Sequence, residues 1–155
     1  MAEQTWTDVF DAAALERSIA RVMALRPDTT ARWGRMNAAA MLAHLNVAYE
    51  MVYDGTHPRP NAIMRWLLRT FLKNGVCGPA AYKRSTPTAP AFRITNDRDF
   101  FRERERLLAY VRRVQADGRA GFEGRESLSF GPLTATEWQV LLGKHFDHHL
   151  AQFGA

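Results

Sequence analysis

Five histidines are the side chains best suited to chemistry in this sequence: His44, His57, His145, His148 and His149. His145 and His149 lie four residues apart in a segment with helical apolar spacing. That spacing puts both rings on one helix face, about 6 Å apart along the axis. Two imidazoles so placed can reach one metal ion, and a third from a facing helix completes a three-nitrogen set. His44 falls on the apolar stripe of another helical segment and is the candidate third ring. Each piece also has a plainer reading. A lone His on an apolar face is commonly a hydrogen-bonded core residue, and two His at this spacing arise by chance on helices. Against that, two inward imidazoles in one core are costly unless each finds a partner. His148, three residues after His145, competes as a ligand but sits at the edge of the stripe and reads as rim or as a support behind the ligands. His57 precedes Pro58 in a loop after Gly55 and is expected to face solvent.

Other chemistries find less support. The zinc-protease motif needs a Glu directly after its first His to act as general base. Phe146 holds that place here. Asp147 points off the His145/His149 face and is expected at the surface. Gly75-Val-Cys-Gly78 lacks the lysine of a phosphate loop. No Ser-His-Asp set can be assembled, so no catalytic residue is assigned. Cys77, in a Gly/Pro-rich stretch, is expected to be incidental. Tyr49, Tyr53, Trp66 and Arg69 are candidates to line a pocket near His44, and ordinary core and surface explain them equally well.

Four long helical patterns must position the histidines. The first spans about Asp11 to Leu25, with Leu15, Ile19, Val22 and Met23 on one face and Pro27 beyond its end. The second follows Asn37, an N-cap whose side chain can accept from a first-turn amide. It carries Met41, His44, Leu45, Ala48, Met51 and Val52 as one stripe and stops at Gly55. A shorter helix is expected over Ala62 to Lys73. Glycines and prolines then break regular structure until about Thr95, a span long enough to be a crossover connection or a lid. The third long helix is predicted from Asn96-Asp97 to about Ala116, stopped by Asp117-Gly118, with loop from Arg119 to Pro132. Thr134 and Glu137 form a capping box that opens the last helix, and Gly154 lies just past its end. Without a convincing alternating strand, the pattern predicts an all-α bundle.

At 155 residues, 46% of them hydrophobic and 24% charged, the chain is expected to form one domain spanning residues 1–155 and to bury a core without help. A single cysteine excludes an internal disulfide scaffold. The start of the sequence lacks the basic and apolar regions of a signal peptide, and no apolar run approaches the ~18 residues of a membrane helix. A cytoplasmic protein with no membrane partner is expected. With 21 basic against 16 acidic residues and a pI near 9.9, an anionic partner is permitted. The basic residues are scattered, and many in the third long helix alternate with acids, which disfavours nucleic acid.

Trp33-Gly34-Arg35-Met36, Met41-Leu42-Ala43-His44, Phe130-Gly131-Pro132-Leu133-Thr134 with Glu137-Trp138, and His145 through Gly154 together resemble the DinB/YfiT-like superfamily. More closely, they resemble a bacterial subgroup known as a domain of unknown function. The resemblance covers about Ala13 to Gly154. It implies a DinB-like four-helix bundle with a long crossover connection, often a homodimer, and a divalent-metal site on His44, His145 and His149. Zinc or nickel heads the choice of ion, with iron as a further option. The superfamily includes thiol-dependent transferases, so the resemblance implies a metal-dependent transferase or hydrolase acting on a small molecule. The alternative is a metal-binding sensor or stress-related module without catalysis. The pattern departs at Ser127-Leu128-Ser129, where many relatives carry His-Pro.

Overall fold

Side-chain caps fix where the helices begin. In the computed structural model, which describes residues 5–155, Asp11 accepts from Ala14 N at the start of α1 (Ala12–Ala24). Asn37 accepts from Ala40 N ahead of α2 (Ala38–Tyr53), and Asn61 from Met64 N ahead of α3 (Ala62–Phe71). Asp99 does the same for α5 (Phe100–Phe122). Thr134 and Glu137 close a reciprocal box on α6 (Ala135–Gln152). Each cap satisfies an amide that the helix cannot, worth about 1 kcal/mol. The opening residues 1–4, to which the expectation about a leader partly refers, lie outside the described residues.

The chain is mostly helical, as the patterning predicts, with three local departures. Gly75 does not end regular structure: a short helix, α4 (Lys73–Cys77), follows α3 directly. α5 begins at Phe100, not at Asn96-Asp97, because Asp99 is the residue whose side chain caps. Gly118 does interrupt it, as expected, but the residues after it are helix and not loop. At φ 65° and ψ 179° it breaks helical geometry, and a second, short helical stretch then runs to Phe122. The segment read as loop up to Pro132 therefore holds helix and a minimal antiparallel ladder, β1 (Glu126–Ser127) on β2 (Gly131–Pro132).

The core joins one face of each long helix. Val22 of α1, Met41, Leu42 and Leu45 of α2, Leu107 and Val114 of α5, and Leu142 and Leu150 of α6 are all buried in one cluster. α2 packs on both α5 and α6, so His44 and the face of α6 that carries His145 meet at one end of that core. α3 contributes little: none of its residues is buried, and Ile63 (74%), Trp66 (61%) and Phe71 (69%) stand largely exposed. Among the described residues no helix is long and apolar enough to cross a membrane.

Candidate metal centre

His44 is fixed by its α2 backbone and by one hydrogen bond. Its Nδ1 lies 2.8 Å from the carbonyl oxygen of Phe92, in the 3-10 turn Pro90–Phe92. A carbonyl only accepts, so Nδ1 carries the proton and Nε2 presents a lone pair. His149 is fixed in the same way by a relay. Gln152 Nε2 donates to the carbonyl of Trp33 at 2.8 Å, which turns Gln152 Oε1 toward His149 Nδ1 at 2.7 Å. Nδ1 donates there, and Nε2 is again the free lone pair. Gly34 makes this approach feasible: its φ is +82°, and a Cβ there would sit 2.7 Å from the Gln152 amide nitrogen.

His145 completes the set. Its Nε2 lies 3.0 Å from His44 Nε2, and ligand-capable atoms of His44, His145 and His149 all fall within 4.8 Å of one another. The rings cluster, with centroids 5.0 Å apart for His44 and His145, 4.5 Å for His44 and His149, and 4.9 Å for His145 and His149. His44 and His149 are buried, and His145 as a whole residue is intermediate in exposure.

Burial decides their charge. Loss of solvent lowers the pKa of all three below the ordinary histidine value, and neighbouring imidazoles lower them further. His149 falls to about 3. The hydrogen bonds to Phe92 and Gln152 pull the other way and are outweighed. All three rings are therefore neutral at physiological pH, the form in which imidazole binds a metal. Ligating histidines are held by a hydrogen bond from the second ring nitrogen, and two of these three already have one, to a carbonyl and to an amide oxygen. The donor set fits a divalent cation with nitrogen preference, such as zinc or nickel.

His148 is the rim residue that its position on α6 predicts. Its ring lies edge-on to Trp33 at 5.8 Å and to Tyr82 at 5.6 Å, outside the three-ring cluster. Other expectations need correction. His57 is not an open surface residue, because its Nε2 lies 2.8 Å from Glu50 Oε2 with both side chains largely covered. Asp147 is not idle surface: it accepts from Thr7 N and Oγ1 at 2.8 Å and from Arg21 at 2.6 Å, fastening the start of the chain to α6. Tyr49 and Tyr53 do not line a pocket beside His44. They stack on Tyr110 of α5, while Trp66 and Arg69 lie on α3. Cys77 is buried, and that burial pushes its thiol up to about 11, away from reactivity.

Two contributors escaped sequence reasoning. Phe92 supplies the carbonyl for His44, and its ring lies 5.3 Å from that of His44 and 5.6 Å from that of His145. Nothing in a Pro-rich stretch marks such a residue. Lys144 is fully buried, and its ammonium donates to the carbonyls of Gly75, Gly78 and Ala80 at 2.8, 2.6 and 3.0 Å. It thus ties the end of α4 and the following loop to α6, one residue before His145. A lysine between Leu142 and Phe146, both buried in the core, was the available signal. Gln152, three residues after His149, was legible as spacing.

The chain matches, over residues 7–155, the family described as "Protein of unknown function (DUF1569)", and it belongs to that family. No curated protein and no solved structure matches it.

Proposed function

We propose that the protein is a DinB-like four-helix bundle that binds one divalent metal ion on His44, His145 and His149 and acts on a small molecule there, as a metal-dependent thiol transferase or hydrolase. The observation that carries this reading is the convergence of three neutral imidazoles, two of them oriented by hydrogen bonds on the far nitrogen. An ion on three imidazoles supplies a Lewis acid with coordination positions left for a thiolate or a water. The chain's own part is orientation and shelter. Phe92 and Gln152 hold the rings in one tautomer, while Trp33, Tyr82 and Phe92 wall the partly exposed side near His145 and His148.

The competing reading is a metal-binding module without catalysis, favoured by the Phe92 ring lying against both His44 and His145. Cobalt(II)-loaded protein titrated with a small thiol separates the two. A sulfur-to-cobalt charge-transfer band in the wild type, absent from His145→Ala, supports the reactive centre. A loaded protein that takes no thiolate supports the module instead. Homodimer formation belongs to the same proposal, supported by the exposed apolar face of α3, and light scattering should give a two-chain mass.

A further inference from the structure

The charge around the three histidines is one-sided. Among the described residues, the charges that act on His44, His145 and His149 are those of one another and of His148, and Arg84 acts on His148. The nearest acid along α6, Asp147, is engaged by Thr7 and Arg21. From Gly55 to Asn96 the sequence contains no Asp or Glu, but seven Arg and Lys. That run includes the stretch from Gly78 through Phe92 that reaches the rings, while Asp97 and Asp99 follow just before α5. The site is therefore built from neutral donors inside a basic surround.

Arg84 stands out within that surround. Its guanidinium carbon lies 4.1 Å over the Trp33 ring, and Trp33 meets His148 edge-on at 5.8 Å, which in turn meets His149 at 4.9 Å. Stacking on an indole holds a guanidinium flat while leaving its N–H edge open. Among the described residues no carboxylate pairs with Arg84, whereas Arg59, Arg65, Arg98, Arg106, Arg119 and Arg125 all have carboxylate partners. Arg93 follows directly on Phe92, whose carbonyl orients His44, and it too is exposed with no carboxylate partner among the described residues.

A divalent ion on three neutral imidazoles keeps its full charge, and a partly buried, acid-free setting does little to screen it. The compensating anion must then come from outside the protein. We propose that the small molecule handled at this centre carries an oxyanion, carboxylate or phosphoryl, and that Arg84, braced on Trp33, receives it on the His148 side of the three histidines. This rests on the metal-binding reading above. Arg84 is a specificity-determining residue in this account, because a planar fork of donors prefers an oxyanion over its neutral amide.

The test uses zinc-loaded, untagged full chain, with the Arg84 Nε–H and Trp33 indole N–H resonances followed by NMR. The probes are acetate, methylphosphonate and uncharged acetamide. Saturable shifts of both resonances with acetate or methylphosphonate, and none with acetamide, are expected; the tighter of the two anions identifies the class. Arg84→Gln should weaken that binding at least tenfold, read at the Trp33 resonance, while Arg112→Gln, on the exposed side of α5, should leave it unchanged. Binding within twofold of wild type in Arg84→Gln, or equal response to acetamide, overturns the proposal. Zinc content of the same samples keeps the two readings apart. Protein that takes up no zinc fails the metal reading, whereas zinc-loaded protein indifferent to Arg84→Gln fails this inference alone.

Discussion

Two polar clusters are buried against α2, and they are built on opposite principles. Toward α5, Glu103 is buried among Arg98, Arg106 and Asn46, and Arg106 also reaches Glu50, which holds His57. Every charge there meets an opposite one. Toward α6, His44, His145 and His149 face one another as neutral bases, and beyond the single 3.0 Å contact from His145 to His44 their inward nitrogens have only each other. The first cluster has its charges paired without a ligand, with only Asn46 Oδ1 left unpartnered, and serves to lock α5 to α2. The second holds three imidazoles out of solvent and, among the described residues, leaves His149 Nε2 without a hydrogen-bond partner, a cost that a bound ion would offset.

The sharpest way to break this contrast is to remove a charge from the closed cluster. Glu103→Leu leaves Arg106 and Asn46 without their shared carboxylate, although Arg106 is partly exposed and keeps Glu50, and loss of hydrogen bonds to a buried charged group costs about 1.5–3 kcal/mol. Chemical denaturation should show a loss of that order, with metal stoichiometry unchanged in the fraction that folds. A drop in metal content in that folded fraction would mean that the two clusters are not independent.

Acidification should act on the open cluster. The folded-state pKa of His149 is about 3, below the ordinary histidine value of 6.5. The unfolded chain therefore binds the proton first, so stability is full above about pH 6.5 and is lost as pH falls toward 3. From His149 alone, metal-free protein should lose about 2 kcal/mol by pH 5. His44 and His145, lowered in the same direction, should steepen the fall. Denaturation midpoints across this range should flatten in the His44/His145/His149 triple alanine variant. An unchanged slope would contradict burial of the rings as neutral bases.

The relay behind the site gives a smaller effect. Gln152→Ala removes the acceptor of His149 Nδ1 and strands the Trp33 carbonyl. Metal affinity, read by competition with a chelator, should fall about tenfold to a hundredfold. The smallest effect belongs to the scaffold alone. Thr134→Ala removes the α6 cap and should cost about 1 kcal/mol of stability while leaving metal affinity within error.

The sequence disclosed what local chemistry controls. Asn37 and the Thr134/Glu137 box were readable because a cap is decided within four residues, and so was the shared helical face of His145 and His149. The convergence of His44 with that pair came partly from its stripe and partly from family likeness, since spacing along a chain does not say which helices face each other. What stayed hidden depends on distant contacts. The Phe92 carbonyl, the Lys144 ammonium on three loop carbonyls, and the partners of His57 and Asp147 join segments far apart in sequence. Gly118 marked a true break in α5, but the sequence did not show that helix resumes beyond it to Phe122.

The most direct measurement is metal content. Untagged protein stripped with a chelator, then dialysed against zinc or nickel, should retain one ion per chain, while the His44/His145/His149 triple alanine variant treated alongside it should retain none. Equal content in the two proteins would contradict the account.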